Sequence, residues 1–157
     1  MAITPKGIYY PEGTTNSNFV TIFSTLASSI DSALGDFTYD SGWINVYSED
    51  MLNGWEPYNS TSFQVAYRKI GLSVFHRGLI RNGTEGTSMY VVPNGFRPTR
   101  GTEIFYALSS GSIPSNGGHK GVRVQVVDGG TVSQVGTSAL GSGFISLNCI
   151  NYITDEG

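Results

Sequence analysis

The sequence predicts a mainly β protein, a β-sandwich or closed jelly roll preceded by one amphipathic helix near the amino terminus. Three observations carry this. Beyond Gly35 the apolar residues alternate with period two, as in strands with one face in a core. Turn signals recur about every 8–12 residues, the spacing of all-β sandwiches and barrels. Charged residues are only 13% of the 157-residue chain, about half the roughly 25% of an ordinary soluble domain. Glycine, tyrosine and phenylalanine are abundant, at 21, nine and eight residues. A chain of this length suits one domain with a real core.

Residues 1–15 contain Pro5, Gly7, Pro11 and Gly13 and read as irregular. Their apolar side chains, Ile3, Ile8, Tyr9 and Tyr10, need a surface to pack on, in this protein or another. "SNFVTIFSTLASSIDSALG" is the one convincing helix, assigned to residues 16–35. Asn16, Ser17 or Asn18 supplies its N-cap, and Gly35 fits its stop. Phe19, Phe23, Leu26, Ile30 and Ala33 follow an a/d seam, widened by Ile22, Ala27 and Leu34. The opposite side carries Thr21, Ser24, Thr25, Ser28 and Ser32, which are moderate helix formers. Such a helix is marginal alone in water. Its stripe is therefore covered, either by its own sheet or by copies of itself.

Residues 36–157 make the β head. Its strand segments are "WINVY", "FQVAYRK", "LSVFHRGLI", "SMYVVP", "EIFYAL", "VRVQVVDGGTVSQV" and "FISLNCINYI". Asp128-Gly129-Gly130 between two Val-rich runs is a hairpin signal. Other turns fall at Ile70-Gly71, Asn82-Gly83, Pro93-Asn94-Gly95 and Gly117-Gly118. In the last segment Ile145, Leu147, Cys149 and Ile153 are expected to point one way, which makes Cys149 a buried small hydrophobe.

Several function classes lack support. A net charge of −3 gives no electrostatic basis for a nucleic-acid partner. No run is long enough for insertion into a membrane, and "MAITPKGIYYPEG" lacks the apolar stretch of a secretory signal. The single Cys149 excludes an intrachain disulfide. The two histidines, His76 and His119, are far apart in sequence, whereas a metal site needs several converging ligands. No metal and no other cofactor is expected. His76 falls in a strand and reads as packed; His119 falls in the loop "SNGGHKG" and reads as solvated. Glu85 and Glu103 are the only carboxylates of the central region, and glycosidase chemistry needs two across a cleft. The chain is not expected to be an enzyme.

Charge is also unevenly placed. Between Gly7 and Tyr67 there is no Lys or Arg, while Glu12, Asp31, Asp36, Asp40, Glu49, Asp50 and Glu56 are acidic. From Arg68 to Arg100 six cations stand against Glu85 alone. The two stretches are either solvated separately or face each other, within or between subunits. The segment "NGWEPYNSTS" sets Trp55 and Tyr58 beside Asn53, Glu56 and Asn59. Rings flanked by carboxylate and amide groups can stack on a sugar and bond its hydroxyls. The alternative is that Trp55 plugs the end of the sandwich.

The stretch "VAYRKIGLSVFHRGLIRNGTEGTSMYVVPNGFRPTRGTEIFYAL" resembles the head domain of bacteriophage tail-fibre and minor tail proteins. The matching features are Tyr67-Arg68-Lys69, Arg77-Gly78-Leu79, Gly83-Thr84 and Pro93-Asn94-Gly95-Phe96-Arg97-Pro98, in that order. The segments "YYPEGTTNSNF" and "LASSIDSAL" are similar to those that open tail proteins of actinobacterial phages. The resemblance implies a trimeric jelly-roll head of tumour-necrosis-factor-like architecture, on a virion, with a role in host attachment. On that reading the chain is a homotrimer of the tail-fibre or receptor-binding type, exposed on the particle. Phe19, Phe23, Leu26 and Ile30 would meet at the threefold axis, with the sheet face behind them. Ile3, Ile8, Tyr9 and Tyr10 would anchor it to another virion protein. Trp55, Glu56, Tyr58, His119 and Lys120 would meet a host cell-surface glycan, the last two from the long loop "SGSIPSNGGHKG". The alternative is a capsid decoration or head-fibre protein with the same head. A depolymerase lacks its carboxylates, and a cytokine-like ligand lacks its secretory signal.

Overall fold

The computed structural model describes residues 2–3, 9–10, 19–59, 61, 64–99, 101–110, 120–136 and 143–154. It divides into two compact units, Met1–Tyr39 and Asp40–Gly157. It is mainly β, with one helix near the amino terminus.

In the first unit, β1 (Ala2–Ile3) and β2 (Tyr9–Tyr10) pair antiparallel, with Ala2 opposite Tyr10. The opening segment is therefore not wholly irregular. Helix α1 (Phe19–Thr38) has 20 residues and runs straight through Gly35, its expected stop. The Thr38 hydroxyl donates back to the carbonyls of Leu34 and Gly35, at 3.4 and 3.3 Å. The Tyr39 N–H donates to the Gly35 carbonyl at 3.0 Å. These bonds satisfy carbonyls that a glycine cap would otherwise serve. The hydroxyl-rich side also turns onto its own backbone: Thr25 and Ser29 each donate to the carbonyl four residues earlier at 2.8 Å. The expected N-cap residues 16–18 lie outside the described residues.

The second unit is a sandwich of two antiparallel sheets. Its strands are β3 (Ile44–Asn45), β4 (Glu56–Pro57), β5 (Ala66–Ile70), β6 (Ser73–Arg77), β7 (Leu79–Arg81) and β8 (Ser88–Val91). They continue with β9 (Thr102–Ser110), β10 (Lys120–Val127), β11 (Thr131–Val135), β12 (Phe144–Ser146) and β13 (Asn151–Ile153). One sheet has the order β4-β7-β12-β9-β10-β11-β8, the other β13-β6-β5-β3. Within the larger sheet β9, β10 and β11 are neighbours in turn, and β12 returns beside β9. That is a Greek key. On β10, Val122, Val124 and Val126 are buried while Arg123 between them is exposed, the period-two pattern read from the sequence.

Two segments expected as single strands are each split between the sheets. "LSVFHRGLI" leaves the small sheet as β6 and enters the large one as β7, turning at Gly78. "FISLNCINYI" crosses the other way, from β12 to β13, through a turn closed by Ile150 N–H to Leu147 O at 3.0 Å. The corners hold each other: the Leu147 N–H donates to the Gly78 carbonyl at 3.0 Å, and the Gly78 N–H to Asn148 Oδ1 at 2.9 Å. Gly78 has φ +106°, and a Cβ there would lie 2.6 Å from the Gln64 carbonyl oxygen. Only glycine makes this corner without strain. The second turn also breaks the alternation expected beyond Leu147. Ile150 and Tyr152 enter the core, Ile153 points out at 65% exposure, and Cys149 is half-buried against the core.

Candidate functional site

The segment read from the sequence as a glycan contact carries β4, the edge strand of the larger sheet beside β7. Trp55 is 3% exposed, and its indole N–H donates to the Thr87 hydroxyl at 3.1 Å. A Cβ on Gly83 would sit 1.9 Å from the indole ring, so the ring lies flat against that glycine. Trp55 is thus packed into the core against the Asn82-Gly83 turn, not displayed on the surface. Glu56 accepts from Arg81 Nε at 3.1 Å and from the Asn82 amide. Tyr58 packs edge-on to Phe144 at 5.3 Å, with the Arg81 guanidinium 5.2 Å from its ring centre. His119 lies outside the described residues, as does the side chain of Lys120.

Among the described residues, Asp40 pairs with Arg68 and Glu56 with Arg81, so two ion pairs join the acidic stretch to the basic one within the chain. Arg68 Nε donates to Asp40 Oδ1 at 2.8 Å. That bond, and then the Gly42 N–H, pull the Asp40 carboxyl down to about 2. Arg77 lies over Trp43 at 4.2 Å, with Arg68 at 5.9 Å from the same ring.

His76 is 3% exposed, between the sheets. Its Nδ1 is 2.6 Å from the Tyr90 hydroxyl, and its Nε2 is 3.2 Å from that of Tyr152. Tyr152 in turn donates to the Phe96 carbonyl at 2.6 Å. One proton arrangement satisfies all three bonds: Tyr90 O–H to Nδ1, Nε2–H to the Tyr152 oxygen, and Tyr152 O–H to the carbonyl. The imidazole is neutral in this chain, and burial pushes its pKa down to about 3. The relay ties β8 of one sheet to β6 and β13 of the other. His76, Tyr90 and Tyr152 are all buried, at 3%, 1% and 6% exposure. Among the described residues no three His, Cys, Asp or Glu converge as a metal site would require, and no helix is long and apolar enough to cross a membrane.

Among the described residues, exposed apolar side chains line up on α1 and on β9. On α1, Phe23, Ile30 and Leu34 are 61%, 38% and 52% exposed, and Leu26 is half-buried. The Phe19 side chain lies outside the described residues. On the outer face of the larger sheet, Ile104, Tyr106 and Leu108 of β9 are 51%, 78% and 65% exposed. A third feature is concave. A groove of about 560 Å³ opens between the edge strands β3 and β8, lined by Ile44, Val46, Leu52, Val91, Val92 and Pro93. Asn45, Asp50, Tyr67 and Arg97 bring polar groups to it.

No protein-family model matches the chain, and no curated protein matches it in sequence. Its fold, however, is similar to that in the crystal structure of the receptor binding protein (gp15) of Listeria phage PSA. The alignment covers 90% of this chain and 83% of that one, at 14% sequence identity and a TM-score of 0.59. The chain has the fold of a phage receptor-binding protein. The resemblance read from the motifs thus meets a structural counterpart. The motif residues also acquire physical roles. Gly78 makes the sheet-switching corner. The Pro93-Asn94-Gly95 turn closes through Phe96 N–H to Pro93 O at 3.2 Å, burying Phe96 against Tyr67. Sequence reasoning took Tyr67, Pro93 and Arg97 as signature residues and missed that they share a groove. Their convergence is legible only once β5 and β8 are placed in opposite sheets.

Proposed function

We propose that the chain is a bacteriophage virion protein of the tail-fibre or receptor-binding type, which attaches the particle to its host surface. The observation that carries this reading is the likeness of fold, over 90% of the chain, to a phage receptor binding protein. The order of the sequence motifs supports it independently. The protein acts without catalysis, as a binding module on the particle surface.

It works as a homotrimer. What supports this is the exposure of Phe23, Ile30 and Leu34 on one helix and of Ile104, Tyr106 and Leu108 on one sheet face. Exposed apolar surface arranged as stripes marks an interaction site rather than a solvated face. Phe19 and Leu26 complete the helical seam. The segment carrying Ile3, Ile8, Tyr9 and Tyr10 docks on another virion protein. Glu56, Tyr58, His119 and Lys120 remain candidates for glycan contact, at a site repeated three times per trimer. Weak single contacts then become firm adhesion through avidity.

The test is adsorption of fluorescently labelled protein to the bacteria the particle infects, with imaging of its position on the virion. Saturable binding to host cells and a place at the tail tip are expected. Absence of cell binding together with a regular array on the capsid would overturn the reading in favour of a decoration protein.

A further inference from the structure

We propose that the groove between β3 and β8 is a subsite for an uncharged pyranose sugar, one or two units of a host-surface glycan. This rests on the attachment reading and assigns it a place. The groove is about 560 Å³, inside the roughly 300–1,000 Å³ range of small-ligand sites. Its floor is apolar and fixed: Val46 and Val92 are 4% and 0% exposed. Its rims are apolar and open, at Leu52 and Val91. Such surfaces suit the C–H faces of a sugar ring.

Four polar residues line the groove, Asn45, Asp50, Tyr67 and Arg97, and the last three carry the argument. Tyr67 is buried up to its ring, which packs edge-on to Phe96 at 5.0 Å. Its hydroxyl has no partner among the described residues, yet it is not sealed from solvent. Burial and the Asp50 charge push its pKa up, so it remains a donor. Asp50 spends Oδ2 on the Tyr47 N–H at 3.2 Å, which caps the short 3-10 turn Ser48–Asp50 and leaves Oδ1 as an acceptor. Arg97 is held by its Nε bond to the Val92 carbonyl at 3.3 Å, with its terminal N–H groups as further donors. One acid and one base leave the site without net charge, which disfavours a polyanion. Hydroxyls both donate and accept, and that is what a phenol, a carboxylate and a guanidinium together require.

The groups are also preorganised. The 3-10 turn, the Pro93 turn and the Tyr67–Phe96 contact hold each of them before any ligand arrives, which lowers the ordering cost of binding. Binding at one groove is weak, with a Kd of about a millimolar.

The experiment is saturation-transfer NMR on the whole purified chain with the methyl glycosides of glucose, galactose, rhamnose and N-acetylglucosamine as probes. At least one should show transfer. Tyr67→Phe removes only the hydroxyl and should weaken that probe about fivefold at unchanged melting temperature. Val91→Trp, at an exposed edge position, should fill the groove and abolish transfer. Equal binding by wild type and both folded variants would overturn the proposal, as would Val91→Trp dissociating an oligomer, which would show a second copy in the groove. If the labelled chain adsorbed to host cells but none of the sugars bound, attachment would stand and the groove would be wrong. If the sugars bound in a Tyr67-dependent way but no cells were adsorbed, the groove would stand and the attachment reading would fail.

Discussion

At the scale of single residues, His76 links the core to pH. Its pKa is about 3 in the fold, against 6.5 for an unperturbed imidazole. Between those values the unfolded chain carries a proton that the folded chain excludes. Stability from this group is therefore complete above about pH 6.5 and falls as the pH drops towards 3, by up to about 1.4 kcal/mol per pH unit. The Asp40 carboxyl acts lower, between 3.8 and about 2, where protonation removes its attraction to Arg68. Urea unfolding at pH 7, 6, 5 and 4.5 isolates the histidine window. His76→Phe should flatten the slope there, and an unchanged slope would assign it to other groups. Gly78 gives a second prediction. Alanine at φ +106° would also press on the Gln64 backbone at 2.6 Å, so Gly78→Ala should cost on the order of 3 kcal/mol. Denaturant titration reads this directly, and a loss within error of zero would mean the corner can shift.

At the scale of elements, α1 and β9 each carry three exposed large apolar side chains in a row along one face. The hydroxyls of α1 bond back to their own helix, so its serine-rich side asks for no partner. The seam does. Each buried Phe, Leu or Ile contributes about 1.5–3 kcal/mol, enough over three chains to exceed the entropy lost on association. If the proposed trimer holds, Phe23→Asp should give monomers in sedimentation velocity at micromolar concentration. Tyr106→Asp should weaken assembly in the same measurement if the β9 face belongs to the interface. A wild-type chain that sediments as a monomer would remove the trimer altogether.

At the scale of the whole molecule, the sandwich is a rigid frame. The relay through His76 and the paired corners at Gly78 and Asn148 tie the two sheets at separate places. Loops and grooves carried on such a frame keep their geometry, which is what repeated weak contacts need for avidity. The first residues are proposed to dock on another virion protein. A chain beginning near Asn16 should keep the head's melting temperature and oligomeric state yet fail to enter particles. Normal incorporation of that truncation, measured on purified virions, would place the anchor elsewhere.

The sequence by itself determined the mainly β class, the single helix and its apolar seam, because periodicity records which face of an element meets a core. Val122, Val124 and Val126 follow it without exception. Turn chemistry likewise marked Asp128-Gly129 and Pro93-Asn94-Gly95, where local backbone preference decides. The tertiary structure alone decided what happens at Gly78 and at Asn148, where continuous strand patterns change sheets. Alternation says nothing about which sheet a strand joins, so Ile153 faces out and Ile150 faces in. It decided that Trp55 packs into the core, because burial of an indole depends on Gly83, 28 positions away in the chain. It also brought Asp50, Tyr67 and Arg97 to one groove. Their spacing in sequence has no period; only the closure of one sheet over the other puts an acid, a phenol and a base side by side.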